Sequence, residues 1–499
     1  MAKNILFYLD LFTLHFALAD YLKRNLNCNL FAMIDTTDKP KTFFLNQKIV
    51  DFNETWFYHD NIDFKKIPDI KYLDDFSKRY EIDLKKLIKN DRHFNHFNEF
   101  YKFTENQKNS IVEQESKLYE SIIEKSKPDF LIITQPAVRH SYMLLELCKK
   151  NNVTPLVINP SLLGYQIFIS KNINRLNSYK DENIIPIDKS FSELQNDLEK
   201  FNINNQITEY ISNFGGDSKL NFLSAVFTFL IKNNNSNVKT HYTYYGRTKF
   251  NVLINSLKKN IRKRKRKKFI DKNFKKKISD DKIIYFPLQV EPDRNLLLGA
   301  PNYTNQLKSI EEISKNLPSG FRLIVKEHPG QKKTWRPISY YDEILKNPLV
   351  DLIHPDFPSG EIYKKCNLVI TAVGTSGFEA LFHGIPVIVF DETLYSDIPG
   401  VTKLNSLAEL ENEIPKSLEK KINPKDLDFF IKILQKNSVN FDLFGYYTAQ
   451  ASEFYYNSIL IDVDIPENKM RNFLQKQNKI INNLGNELIK QINSYSTLT

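Results

Sequence analysis

Apolar and polar positions divide the chain into two α/β stretches separated by a polar, largely helical middle. Asn4-Ile5-Leu6-Phe7-Tyr8-Leu9 is an apolar run of strand length, and the residues through Tyr21-Leu22-Lys23 follow with helical spacing. Leu30 to Ile34 is a second short strand ending at Asp35, and residues 60–125 are helical, charged and rich in aromatics. Phe130 to Thr134 is a strand, Ser141 to Lys150 a helix and Thr154 to Asn159 another strand. That succession predicts a parallel α/β unit. Residues 185–280 read as helix or loop.

After residue 281 the alternation becomes regular. Strands are predicted at Lys282 to Leu288, Phe321 to Lys326, Val350 to Ile353, Asn367 to Thr371 and Pro386 to Phe390. Helices are predicted between them at Asn302 to Leu317, Ser339 to Lys346, Ser359 to Lys365 and Gly377 to His383. Strands that are nearly all apolar belong to a parallel sheet covered on both faces, the doubly wound nucleotide-binding arrangement. The last stretch, 441–499, is helical and rich in Asn and Lys.

A chain of 499 residues exceeds one ordinary core, so two domains are expected. With 41% hydrophobic and 13% aromatic residues it has the means to bury both. No apolar run reaches the ~20 residues of a spanning helix, and the N-terminus lacks a basic start leading to a small-residue cleavage site. Cys28, Cys148 and Cys366 lie far apart, which suits a reducing cytoplasm better than a disulfide framework or a zinc site. The net charge of +11 is local: residues 258–277 hold thirteen Lys or Arg against Asp271, supply +12, and leave the rest of the chain at −1. Three readings of Lys258 to Lys277 stay open: a solvated linker helix, a surface for anionic membrane, or a nucleic-acid contact. The last lacks flanking stacking aromatics, so membrane is preferred over nucleic acid.

Three constellations carry candidate chemistry. Thr371-Ala372-Val373-Gly374-Thr375-Ser376-Gly377-Phe378-Glu379 ends a strand, turns through small residues and opens a helix. Close backbone approach at Gly374 and Gly377, hydroxyls at Thr375 and Ser376 and the N–H groups of a helix start suit a nucleotide phosphate. Glu379 is placed to accept from ribose hydroxyls; the plain alternative is a capped helix start with an acid near its positive end. Lys326-Glu327-His328-Pro329 follows another strand, where His328 can donate to or protonate a phosphate oxygen and Lys326 adds charge. Gln289, Glu291 and Asp293 stand on a loop stiffened by Pro287 and Pro292, and a carboxylate there can act as base or nucleophile. All three leave the same predicted sheet edge. In the N-terminal half, Gln135, Arg139 and His140 follow a strand and either face an acceptor or form a surface loop. Asp462-Val463-Asp464 spells a metal-transferase pattern but has no matching sheet, and no metal site is expected.

With Phe286-Pro287-Leu288-Gln289 and Asp293, then Arg322 to Pro329, Gly374 to Ala380 and Gly384 to Phe390 in order, the sequence resembles the capsule polysaccharide biosynthesis family, whose characterised members include bacterial Kdo transferases. The resemblance implies a GT-B fold: two Rossmann-like domains facing across a cleft, with extra helices. On it, residues 1–257 are the acceptor-side α/β domain with helical insertions, 258–281 a basic linker, 282–440 the nucleotide-sugar-binding domain and 441–499 a C-terminal helical segment. It assigns nucleotide contacts to His328, Pro329, Thr375, Ser376 and Gly377, and catalysis to Asp293. Arg294-Asn295 stands where Kdo transferases have Ser-Gln, which leaves the donor sugar open.

The expected activity is metal-independent glycosyl transfer in capsule or surface polysaccharide biosynthesis, from a nucleotide sugar, foremost CMP-linked Kdo or a related acidic sugar. The acceptor is a glycan or lipid-linked glycan, and no cofactor is needed beyond the donor. Asp293 is either nucleophile, with retention, or base, with inversion. The alternatives are a sugar-nucleotide epimerase of the same fold and a non-catalytic capsule assembly or export component. The expected location is the cytoplasm, with the basic tract at the inner face of the membrane.

Overall fold

A computed structural model describes residues 2–97, 99–181, 183–201, 224–232, 236–279, 281–328, 330–331 and 336–496. In chain order its strands are β1 Lys3–Leu9, β2 Cys28–Ile34, β3 Glu54–Phe57, β4 Phe130–Thr134, β5 Thr154–Pro160, β6 Gln166–Ser170, β7 Lys282–Pro287, β8 Phe321–Lys326, β9 Val350–Ile353, β10 Cys366–Thr371, β11 Val387–Val389, β12 Val401–Lys403 and β13 Ser438–Asn440. They form two sheets in two units, each an α/β domain on a largely parallel sheet, as a GT-B fold requires of each of its domains.

In unit 1 (Met1–Asn177, Asn202–Val252 and Asn437–Thr499) the sheet order is β13-β6-β5-β4-β1-β2-β3. β1 to β5 pair in parallel, while β6 and β13 add antiparallel strands at one edge. The interior strands β1 and β4 are apolar throughout their buried lengths because helices cover both faces. In unit 2 (Ser178–Phe201 and Leu253–Lys436) the order is β12-β11-β10-β7-β8-β9, all parallel. The chain starts at the centre with β7, builds outward through β8 and β9, then crosses back to build β10, β11 and β12. This is the Rossmann order, and its strand reversal lies between β7 and β10.

The boundaries differ from the sequence expectation in three places. The 441–499 segment is not a separate piece: the Glu467–Ser496 helix covers the Leu14–Asn25 helix of unit 1, with Leu484, Leu488 and Ile492 inside the same core as Leu14 and Leu18. Gly485 makes this possible, since a Cβ there would lie 2.2 Å from the Tyr21 ring. Ser178–Phe201, assigned to the first domain, belongs to unit 2. Ile187 N donates to Asp428 Oδ2 at 2.7 Å, Tyr179 Oη to Leu394 O at 2.9 Å, and the Phe191 ring approaches Gly384. Residues 258–281 are not a linker but part of unit 2. The helix Lys249–Asn273 runs through them, Phe274 enters the unit 2 core, and Lys275 N donates to Leu352 O beside β9 at 2.9 Å.

Candidate nucleotide site in unit 2 and a polar cluster in unit 1

β7, β8 and β10 are adjacent and parallel, so the loops carrying Gln289 to Asp293, the Lys326-Glu327-His328 turn and the Gly374-Thr375-Ser376-Gly377 turn leave one edge of one sheet. In open α/β sheets ligands bind outside the carboxyl ends of the strands at the reversal, here β7 and β10. Gln289 joins those two ends: its Nε2 donates to Thr371 Oγ1 at 3.2 Å, and Gly374 N donates to the same oxygen at 3.2 Å. Only glycine fits at 374, because a Cβ would lie 2.5 Å from Gln289 Nε2 and 2.8 Å from Thr371 Oγ1. Gly377 is equally confined, with the Tyr395 hydroxyl 2.4 Å from where a Cβ would stand, and that hydroxyl also donates to Gly374 O.

The helix after this turn spans Thr375–Leu381, starting a residue or two earlier than its apolar pattern suggested. Gly374 is its N-cap and offers no capping side chain; Gly377 N donates to Gly374 O at 3.2 Å, and the N–H groups of Thr375 and Ser376 are left for another acceptor. Thr375 and Ser376 are half-buried at its start. Glu379, expected to meet ribose, accepts from Tyr363 Oη at 3.1 Å. Lys326 is buried and donates from Nζ to Ser359 Oγ at 2.8 Å; burial lowers its pKa, opposed by the charges of Glu379 and Asp356.

His328 Nδ1 accepts from Gly330 N at 2.9 Å, which places the proton of the neutral ring on Nε2. Burial lowers the pKa of this imidazole, with Asp293 opposing and Lys326 and Arg336 adding to the fall. His328 is therefore a neutral donor at neutral pH, suited to donating to a phosphate oxygen rather than to carrying charge. Asp293, which acts electrostatically on it, is half-buried and caps the short Arg294–Leu297 helix, accepting from Asn295 N at 3.1 Å. Pro329 lies outside the described residues.

Gln289 and Glu291, candidates for the donor sugar, are held by scaffold contacts. Gln306 Oε1 accepts from Gln289 N at 2.7 Å, and Gln306 Nε2 donates to Glu291 Oε1 at 2.6 Å. Gln331 clasps the Glu291 backbone at both ends, and Arg336 donates to Gln289 O. Two members of this framework carried no sequence signal. Arg336 ion-pairs with buried Glu327 at 3.1 Å, and Tyr341 Oη donates to Glu327 Oε2 at 2.7 Å. Burial raises the Glu327 pKa even against Arg336.

In unit 1 the three acceptor-side candidates separate. Arg139 is not on a surface loop and is not open to an acceptor. It is buried, with Nε 2.6 Å from Asp91 Oδ2 and Nη2 2.8 Å from Glu115 Oε1, and two buried carboxylates are what a buried guanidinium requires. Gln135 Nε2 donates to Asn159 Oδ1 at 2.9 Å and to Asn174. His140 does face chemistry: its Nε2 lies 2.8 Å from Asp35 Oδ2, where the Tyr8 hydroxyl donates at 2.7 Å, and His59 Nε2 lies 3.2 Å from Asp35 Oδ1. Burial alone would raise the Asp35 carboxyl, but His140 and His59 hold it well below its ordinary value. Asp10 is pushed up to about 7, mainly by burial and also by Asp35. Asp10 and Asp35 follow β1 and β2 directly, His59 stands two residues past β3, and His140 lies in the first turn of the Arg139–Lys150 helix after β4. One sheet edge thus gathers two carboxylates with opposed pKa values and two imidazoles, a set able to move a proton. The signal was an acid placed straight after an apolar strand, Leu9-Asp10 and Ile34-Asp35.

Residues 205–438 match the family model described as capsule polysaccharide biosynthesis protein. Over these residues, a little under half of the chain, the protein is similar to the capsule polysaccharide biosynthesis family. Among curated relatives it is 30% identical over 141 residues to the capsule polysaccharide modification protein LipB of Neisseria meningitidis serogroup A, covering 26% of this chain and 33% of LipB. The chain thus spans about a third of the length of the curated relative it matches. Among solved structures, Thermosulfurimonas dismutans KpsC, a beta Kdo 2,7 transferase, is 15% identical with a TM-score of 0.29, covering 64% of this chain and 89% of that one. The UDP-GlcNAc 2-epimerase of Methanocaldococcus jannaschii is 13% identical with a TM-score of 0.26, covering 87% of this chain and 99% of that one. The family region spans all of β7 to β12, so the whole candidate nucleotide edge lies inside it.

Proposed function

We propose that this protein is a glycosyltransferase of the capsule polysaccharide biosynthesis family that uses a nucleotide-activated sugar, foremost a CMP-linked Kdo or related acidic sugar, to build capsule or surface polysaccharide. The observation that carries the reading is the convergence of His328, Asp293 and the Gly374–Gly377 turn on one edge at the strand reversal of unit 2. In this reading the N–H groups that start the Thr375–Leu381 helix and the Nε2–H of His328 receive the nucleotide phosphates. They also stabilise the charge that develops as the nucleotide leaves. Asp293 is the nucleophile or the base. Within unit 1, Asp35 with His140 and His59 is suited to hydrogen-bond the hydroxyls of a glycan or lipid-linked glycan acceptor.

A thermal-shift panel of CMP, UDP and GDP tests the donor, since a ligand that binds only the native state raises its apparent stability. CMP is expected to stabilise most. Release of CMP from a CMP-sugar in the presence of acceptor tests transfer, and conversion of UDP-GlcNAc to an epimer would replace this reading with the epimerase one. Asp293→Asn is expected to abolish transfer while nucleotide binding persists; unchanged turnover would remove Asp293 from the mechanism.

A further inference from the structure

The helix Lys249–Asn273 carries an apolar stripe that none of the described residues covers. Phe250, Leu253, Leu257 and Ile261 are 70%, 45%, 66% and 56% exposed. They recur at intervals of three, four and four residues, which puts them on one face of a helix. The opposite face is accounted for. Arg266 stands nine residues beyond Leu257, about two and a half turns, and is only 6% exposed, donating from Nη2 to Gln331 O at 3.1 Å. Phe269 and Ile270 pack on the unit 2 core. The helix is therefore anchored by one side while its other side presents large aliphatic and aromatic groups to solvent. Isolated exposed apolar residues are ordinary, but four in register on one helix face mark a contact surface.

Charge selects the partner. The stripe runs into Arg262 to Lys268, and residues 258–277 hold thirteen basic side chains against one acid, while the rest of the chain is close to neutral. Arg264 and Lys268, three and seven residues past Ile261, extend the stripe's own face, and Lys258, Lys265 and Lys267 flank it, all exposed. Nucleic acid would use the basic groups but has nothing to offer Leu253, Leu257 and Ile261, which cannot stack on bases. A second copy of this chain would bring its own basic helix against this one. A bilayer with anionic headgroups satisfies both halves at once: acyl boundary for the stripe, phosphates for the flanks. Among the described residues no helix is long and apolar enough to cross a membrane, so the contact would be one of lying on the surface.

We propose that the Lys249–Asn273 helix is an interfacial helix that seats this protein on an anionic lipid bilayer. Its Phe250-Leu253-Leu257-Ile261 stripe enters the headgroup boundary, and its lysines and arginines meet the lipid phosphates. The inference does not depend on the transferase reading. It places a lipid-linked substrate within reach of a protein that has no spanning helix in its described residues.

The test is co-sedimentation of the full chain with phosphatidylcholine vesicles, with and without phosphatidylglycerol. The expected result is binding to the anionic vesicles only, weakening as salt shortens the screening length. The combined variant Leu253→Ser, Leu257→Ser and Ile261→Ser should lower partitioning about tenfold, as should the combined Arg264→Gln, Lys265→Gln, Lys267→Gln and Lys268→Gln. All seven positions are exposed, and unchanged circular dichroism and melting would show that the variants fold. Absence of binding to anionic vesicles at low salt would overturn the proposal. So would a serine variant that binds vesicles like the parent, duplex oligonucleotide binding as tight as vesicle binding, or a dimer that the serine variant dissociates.

Discussion

At the scale of the residue, Gly374 is one of two positions, with Gly377, where the candidate site has no room for a side chain. Its backbone lies between the Gln289 amide and the Thr371 hydroxyl, and a methyl group would sit within 2.5 Å of the first. The two neighbours hold each other, Gln289 Nε2 donating to Thr371 Oγ1 at 3.2 Å, and the Gln289 backbone is fixed through Gln306 and Arg336. Gly374→Ala is expected to force the β7 and β10 ends apart, lowering stability by about 1–3 kcal/mol and removing nucleotide binding measured by calorimetry. Arg139 makes the opposite case, a charged residue whose role is structural. Arg139→Ala leaves Asp91 and Glu115 buried without their partner and should lower the unfolding free energy by about 3–5 kcal/mol. Urea denaturation with and without acceptor measures it, and an acceptor-dependent difference would contradict the structural role. His328, Asp293, Thr375 and Ser376 were legible in the sequence because each sits just past a strand whose end is marked by glycine or proline. Arg336 and Tyr341 were not. Their importance lies in contacts with Glu327 at a strand end, nine and fourteen positions earlier, which no local pattern encodes.

At the scale of the element, legibility followed burial. β7, β8, β9, β10 and β11 could be read because a strand covered on both faces must be apolar along its whole length. β3, β12 and β13 could not. They are three or four residues long, lie at sheet edges and are half or fully exposed, so neither length nor hydropathy separates them from loop. The Glu467–Ser496 helix was legible as a helix, but its place in unit 1 was not, because that rests on Gly485 letting the Tyr21 ring approach its backbone. Tyr21 Oη also donates to Asn486 Oδ1 at 2.6 Å. Gly485→Val should therefore separate the first and last helices of unit 1 and lower its stability by about 1–3 kcal/mol, read as a lower denaturation midpoint. A neutral result would mean that the two helices are held elsewhere.

At the scale of the whole molecule, the buried titratable groups of unit 1 set how the protein responds to acid. Burial lowers His15 to about 4, His93 to about 3 and His241 to about 4, against an unfolded value near 6.5. Each is neutral when folded and protonated when unfolded between those limits, so each contributes stability that is present above pH ~6.5 and lost as the pH falls toward its folded value. Asp10 acts in the opposite sense. Burial raises it to about 7, so the folded state holds its proton where the unfolded state has released it, and stability is gained as the pH falls from about 7 toward 4. Three histidines outweigh one aspartate, and unit 1 should lose on the order of 1–3 kcal/mol per pH unit between about pH 6 and 4.5. The chain has two tryptophans, Trp56 on β3 and Trp335. In a Trp335→Phe background the fluorescence of Trp56 therefore follows unit 1 alone. Its denaturant midpoint should fall steadily from pH 6.5 to 4.5, and a His93→Phe substitution should flatten that fall by removing the histidine with the lowest value. A midpoint unchanged across this range would mean that these imidazoles are not kept neutral by the fold. The proton-transfer role given to the neighbouring Asp10 and Asp35 would then lose its electrostatic basis.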